Sequence, residues 1–353
     1  MKVLVHNINQ GGGVTVVMEK VCSVLQELKK EFDFEVWCSI RGHQRISTFE
    51  CCDKVMTYRY SSRLDRLFGY SYTFLKNVLL KKKIEKDFDL VFTHTPLWVN
   101  SNVIYIDGRD WDKFYKQHLN IFGKIIQYLP QRYVKMSVRN STIFLLNSAA
   151  REFYVRNFPR SIYGNPNGID WSNWINREKQ FDFIYVGRFS YEKNPEIVFK
   201  AFLGTKYCGI MIGEDKNTLI RNIIVKKFMP RKMVFEYISQ SKIGILPSRH
   251  EVFPITILEY LSFGLPVIVS DSIDSEIVEY CITFKCCDEA DLYNTFEHVY
   301  ENYEYYVKKY RKIRKIVLEK YDWDKILEGN IRKALLSYIV SQSHKDVPRR
   351  IQM

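Results

Sequence analysis

Ser248-Arg-His-Glu-Val-Phe-Pro-Ile-Thr-Ile-Leu-Glu-Tyr-Leu-Ser-Phe-Gly-Leu-Pro-Val-Ile-Val-Ser-Asp271 carries the most information in this 353-residue chain. An apolar strand, Lys242–Leu246, ends just before it. Pro254 suits the first position of a helix, where its missing N–H leaves nothing unpaired. Gly264 stops that helix and Pro266 keeps it from continuing. A second apolar strand, Pro266–Val269, follows. Strand, short helix and strand make a βαβ unit whose helix N-terminus stands at the carboxyl edge of the sheet, where free N–H groups favour an anion. Glu251 precedes the helix and Glu259 lies eight residues later. At 100° per residue the two fall within about 80° of one face. Carboxylates there accept hydrogen bonds from sugar or ribose hydroxyls; without a ligand they would be two solvated surface glutamates.

The same alternation extends both ways. Upstream, strands are expected at Phe183–Val186 and Gly209–Ile212, with helices near 194–203, 231–240 and 254–263. Val186-Gly-Arg-Phe-Ser-Tyr-Glu-Lys-Asn194 leaves the first of these strands through Gly187 and presents Arg188 and Lys193 before the next helix. A planar guanidinium and a point-charge ammonium suit a diphosphate. The bland alternative is two solvated cations of a basic chain.

The first half repeats the pattern. Residues 2–8 read as a buried strand, Gly11-Gly12-Gly13 follow, and Val14, Val17, Met18, Val21, Leu25 and Leu28 recur at helical spacing. Further strands are expected at Phe34–Cys38, Leu90–Thr93, Val103–Ile106 and Ile143–Leu146, with turn-rich Tyr163–Asp170 as a boundary. The fold class is therefore α/β with two Rossmann-like doubly wound domains: an N-terminal one over 1–165, a C-terminal one over 166–325, and a helix with tail over 326–353.

The chain carries 53 Lys+Arg against 40 Asp+Glu, and +10 of its net +13 falls in residues 1–165. Such a field attracts nucleic acid, anionic lipid or phosphorylated substrate alike. No apolar run approaches the roughly 20 residues of a membrane helix. The eight cysteines include the neighbours Cys51/Cys52 and Cys286/Cys287 but no CxxC, and no histidines cluster with them. Reduced thiols in a cytosolic protein are expected, and no metal ligand set.

In combination these segments resemble the family four glycosyltransferases, which have the GT-B fold and retain anomeric configuration. The matching motifs are Glu251-x7-Glu259, Gly187-Arg188…Glu192-Lys193-Asn194, Asn167-Gly168-Ile169-Asp170, Ile212-Gly213-Glu214-Asp215 and the tail Tyr321-Asp-Trp-Asp-Lys325. The resemblance implies transfer of a sugar from a nucleotide-diphosphate donor (UDP- or GDP-) to a hydroxyl of a glycan, lipid or protein, in a cleft between the domains and without a metal or other cofactor. Arg188 and Lys193 would bind the diphosphate, Glu259 the ribose and Glu251 the sugar. The backbone of Phe253, Pro254, Ile255 and Thr256 would hold phosphate or sugar oxygens, and Phe228 and Met229 would flank the base. From the first domain, Gly12, Gly13 and Asp107 would face the donor. Asp107 stands where many members carry His. Ser272-Ile273-Asp274 replaces a usual glycine pair, and 214–227 is short enough to lack a helix found in relatives.

Rival readings are weaker. A dinucleotide fingerprint fails because Val16 occupies its last glycine position. The Asp-x-Asp pairs at Asp87/Asp89, Asp110/Asp112 and Asp322/Asp324, which a metal-dependent GT-A transferase needs, lie away from the phosphate loops and read as caps and turns. The alternative of a non-enzymatic basic nucleic-acid-binding protein lacks any finger, helix-turn-helix or RNA-recognition signature. The basic stretches 76–86, with Lys81, Lys82 and Lys83, and 113–132 suit either peripheral contact with an anionic membrane at its cytoplasmic face or helices packed on the sheet.

Overall fold

The computed structural model describes residues 1–6, 12–41, 52–58, 83–84, 86–94, 103–107, 141–157, 162–169 and 177–343. The chain forms two compact units: residues 1–166 with 324–353, and residues 167–323.

Unit 1 is built on β1 (Lys2–His6), β2 (Glu35–Arg41), β3 (Lys54–Tyr58), β4 (Leu90–Thr93), β5 (Val103–Asp107), β6 (Thr142–Leu145) and β7 (Ile162–Gly164). They pair in the order β3-β2-β1-β4-β5-β6-β7, all in parallel. Helix α1 (Gly12–Leu28) buries Val17, Met18, Val21 and Leu25 at the spacing the sequence sets, and α2 (Arg151–Asn157) precedes β7. Gly12 and Gly13 open α1 rather than forming a free loop, and Gly11 lies outside the described residues. In the turn-rich stretch Tyr163–Asp170, Tyr163 and Gly164 belong to β7, the edge strand of this sheet, and the two units divide after Pro166.

Unit 2 contains β8 (Phe181–Val186), α3 (Glu196–Phe202), β9 (Gly209–Glu214), β10 (Thr218–Ile220), β11 (Ile223–Lys227), α4 (Arg231–Ser239), β12 (Ser241–Leu246), α5 (Ile255–Ser262), β13 (Val267–Ser270), β14 (Ile282–Phe284), α6 (Glu289–Glu301) and α7 (Tyr303–Lys320). The sheet order is β10-β11-β9-β8-β12-β13-β14, parallel except for the β10–β11 hairpin. That hairpin occupies 214–227, which holds no helix, as expected.

An aromatic cluster fastens α3 and α6 to this sheet. Phe183 and Phe202 lie 4.5 Å apart, Phe202 and Phe296 4.8 Å, and Tyr207 and Phe296 4.9 Å. Each buried ring contributes about 1.5–3 kcal/mol by leaving water. The last helix, α8 (Trp323–Ser343), starts at the end of unit 2 and runs on in unit 1, the return that the fold class predicts. There Asn330 donates to Gly164 O at 2.9 Å and Arg332 pairs with Glu31. Tyr338 donates to Asp89, which also accepts from Lys2 N at 2.7 Å. Asp89 is thus a structural acceptor, and Asp324 pairs with Lys20 at 2.6 Å. In the basic stretch 76–86, Ile84 is buried with Leu4, Phe88, Val91 and Val103 while Lys83 and Lys86 are exposed, so its apolar side packs on the sheet at that point. Lys81, Lys82, Asp110, Asp112, Asp170 and the stretch 113–132 lie outside the described residues.

In both units the connection reverses direction beside the first strand, between β1 and β4 and between β8 and β12. Ligands of open α/β sheets bind outside the strand carboxyl ends at such a switch point. At that edge of unit 2, Gly213 has φ +129°, and a Cβ there would drive into the carbonyl of Gly187. Gly329, inside α8, has open space where its Cβ would stand. Gly213→Ala is expected to cost about 1–3 kcal/mol through backbone overlap, whereas Gly329→Ala should stabilise by about 0.5–1 kcal/mol. Urea unfolding of the two variants measures both signs.

Candidate functional site

The site of unit 2 begins where β8 ends. Gly187 N donates to Ile212 O at 3.0 Å, and the Tyr185 hydroxyl donates to Arg188 O at 2.8 Å, fixing the turn. Arg188 itself is 71% exposed and bonds Glu192 at 3.0 Å across one helical-type turn. Exposed pairs of this kind are weak, so the guanidinium is free to turn toward an anion. Asn194 closes the loop in a left-handed conformation, φ +52°, with its amide donating to Pro247 O and its carbonyl accepting from Arg249. Arg249 stacks on Tyr191 at 4.4 Å and its backbone N–H donates to Glu192 O at 2.8 Å. The loop after β8 and the loop after β12 are therefore sewn together.

Between them stands an ion pair of Lys193 with Glu251, 20% and 11% exposed. Ser248 donates to the same carboxylate oxygen of Glu251 at 2.8 Å. Ser272 in turn donates to Ser248 O at 3.2 Å, so the segment replacing the expected glycine pair braces this loop. Asn167 donates to Phe253 O at 2.8 Å, which ties the Asn167-Gly168-Ile169 motif to the approach to α5. Gly168 is needed because a side chain there would overlap Trp323.

Helix α5 begins at Ile255, with Pro254 as its cap residue rather than its first helical one. Pro254 offers no side chain to accept from the first N–H groups, and Ile255 and Thr256 supply them. Gly264, at φ +69°, ends the helix as the sequence implies. Glu251 lies outside the helix, so helical arithmetic does not relate the two glutamates. Glu259 is 7% exposed and accepts from Arg231 Nε at 2.7 Å. Burial pushes its carboxyl above the ordinary value, against the pull of Arg231. Desolvation thus exceeds the ion-pair gain, and the pair is a poor source of stability.

Arg231, the first residue of α4, was not anticipated; the signal for it was its place directly after the Phe228-Met229-Pro230 turn. Phe228 is 78% exposed while Met229 is buried, so only Phe228 offers a free aromatic face. The structure thus brings Gly187, Arg188, Lys193, Glu251, Phe253, Pro254, Ile255 and Thr256 to the paired ends of β8 and β12. Glu259 and Arg231 form a second, more buried pair in the same unit. Gly12, Gly13 and Asp107, the last residue of β5, belong to unit 1. Three cations, two carboxylates and a helix start of free N–H groups make an arrangement suited to phosphate and hydroxyl oxygens.

The family described as glycosyl transferases group 1 matches residues 171–316, most of unit 2. No curated protein matches the chain in sequence. Among solved structures, sucrose-phosphate synthase from Thermosynechococcus elongatus is similar at 14% identity and TM-score 0.73, over 95% of this chain and 98% of that one. HepE of Anabaena, in complex with UDP and glucose, is similar at 12% identity and TM-score 0.70, over 96% and 100%. WaaG, a glycosyltransferase involved in lipopolysaccharide biosynthesis, is similar at 12% identity and TM-score 0.68, over 94% and 98%. The likeness shows the GT-B fold.

Removing the Arg231 side chain leaves the Glu259 carboxylate buried without its counter-charge. A carboxyl whose folded pKa is raised costs stability above its ordinary pKa, and the cost vanishes once it is protonated. Arg231→Ala should therefore lose about 2 kcal/mol at about pH 8 and progressively less toward about pH 4.5. Urea unfolding across this range checks it; a pH-independent loss would contradict the assignment.

Proposed function

We propose that this chain is a retaining glycosyltransferase that moves a sugar from a nucleoside-diphosphate sugar to an acceptor hydroxyl of a glycan, lipid or protein. The observation that carries the reading is the Lys193–Glu251 pair, which holds a cation and a carboxylate together at the switch point of unit 2. An arriving diphosphate takes the ammonium from Glu251 and meets the N–H groups that open α5. Glu251 is then released to accept from the sugar hydroxyls. Arg188 turns from Glu192 to the same diphosphate. Glu259, held by Arg231, accepts from the ribose, and Phe228 flanks the base. The UDP complexes of HepE make UDP the first nucleotide to test, with GDP second.

In the reaction the bond from the anomeric carbon to the leaving phosphate oxygen breaks, and the acceptor oxygen bonds to that carbon from the same face. The hydroxyl proton passes to the departing diphosphate. Arg188 and Lys193 stabilise the charge that grows on the leaving group, so the diphosphate needs no divalent ion. Neither glutamate serves as a nucleophile: Glu251, once released from Lys193, accepts from Ser248 and the sugar hydroxyls, and Glu259 is held by Arg231.

A panel of nucleotide-sugars assayed with excess chelator tests the proposal. Arg188→Ala and Lys193→Ala should each lower kcat by about 10²–10³; the melting temperature stays near that of the unaltered chain in Arg188→Ala and falls modestly in Lys193→Ala, which leaves the mostly buried Glu251 without its counter-charge. Glu259→Gln should weaken nucleotide binding about tenfold, and Glu251→Gln should mainly lower transfer. Unchanged turnover in both cation variants contradicts the assignment, and an inverted product seen by NMR contradicts retention.

A further inference from the structure

Three thiols of unit 1 meet although they are far apart in sequence. Cys22 lies within α1 and Cys38 within β2, both fully buried, and Cys52 is half-buried just ahead of β3. Their sulfur atoms all lie within 4.8 Å of one another, and Cys22 and Cys38 are 3.2 Å apart. Zinc–sulfur bonds of about 2.3 Å place the sulfurs of a tetrahedral ion about 3.8 Å apart. The observed spread brackets that value, so an ion seats with sulfur movements under roughly 1 Å.

The third ligand is held where it is needed. Asp53, next to Cys52, donates its backbone N–H to Val36 O at 2.9 Å and accepts from Val36 N at 2.8 Å. Lys29, just past the end of α1, bonds both oxygens of that carboxylate at 2.7 and 2.8 Å. Cys52 is thereby anchored to the strand and helix that carry the other two thiols. A site whose ligands are positioned before the ion arrives loses little ordering entropy on binding. The donor set is all sulfur, which selects a soft or borderline d¹⁰ cation over magnesium or calcium.

We propose that Cys22, Cys38 and Cys52 form a three-thiolate zinc site that ties α1, β2 and the start of β3 together. The three thiols bind as thiolates, each releasing its proton, and the fourth position is left to an exogenous ligand. The site lies in unit 1, whereas the diphosphate chemistry belongs to unit 2, so its role is to stabilise the fold.

The test uses the full chain, purified reduced and without a histidine tag, incubated with Zn²⁺ and desalted. Mass spectrometry of the metal should find about one zinc per chain, as expected for a three-thiolate site. Cys52→Ala should retain less than about a tenth of that zinc and melt lower, while Cys286→Ser/Cys287→Ser keeps it. Circular dichroism confirms that the half-buried Cys52 variant is folded, and Co²⁺ loading of the unaltered chain should give a thiolate-to-metal charge-transfer band. Zinc below about 0.1 per chain, zinc indifferent to Cys52→Ala, or a Cys22–Cys38 disulfide found by peptide mapping would overturn the proposal.

Discussion

The contact on which the rest of unit 2 depends is the backbone approach of Gly213 to Gly187 at the ends of β9 and β8. The space that a side chain on Gly213 would fill is taken by the Gly187 carbonyl. That lets the chain leave β8 sharply and lie over the sheet edge instead of continuing along it. The turn is then locked by Tyr185 on Arg188 O and by the bond from Arg249 N to Glu192 O. β8 and β12 run parallel as neighbours, so their exits stand side by side. The cations of one loop and the carboxylate of the other have nowhere else to meet.

The site is costly for the fold. Glu259 is buried opposite a single cation, and its raised pKa means that desolvation outweighs the attraction. Asn194 holds a left-handed backbone, and the first N–H groups of α5 lack a capping side chain. Each of these lowers stability slightly, and the uncapped N–H groups of α5 stay ready for oxygen-rich ligands. The aromatic cluster of Phe183, Phe202, Tyr207 and Phe296 packs α3 and α6 against the sheet and offsets that cost. Unit 1 has the same switch-point topology but a different distribution of charge, with most of the chain's positive excess in its sequence.

Most of the sheet framework was legible in the sequence because parallel strands buried on both faces are continuous apolar runs between Gly- and Pro-marked turns. The short edge strands and the inner strand β11 were not: β7 reads as a turn, and β3, β10, β11 and β14 carry too little apolar pattern to stand out. The motif residues were found because charge follows a strand end at fixed spacing. Their partners were not, since Lys193 meets Glu251 across 58 residues and Arg231 meets Glu259 across 28. Treating Glu251 and Glu259 as one helical face failed because α5 begins four residues after Glu251. The thiol cluster was invisible for the same reason, as its members come from a helix, a strand and a loop with no local cysteine spacing.

The most direct measurement of the central claim is a crystal structure of the chain with UDP bound. The account predicts diphosphate oxygens within about 3.2 Å of Lys193 Nζ and of the N–H groups that open α5, with the Lys193–Glu251 pair broken. A nucleotide whose phosphates lie elsewhere while Lys193 and Glu251 remain paired would contradict it.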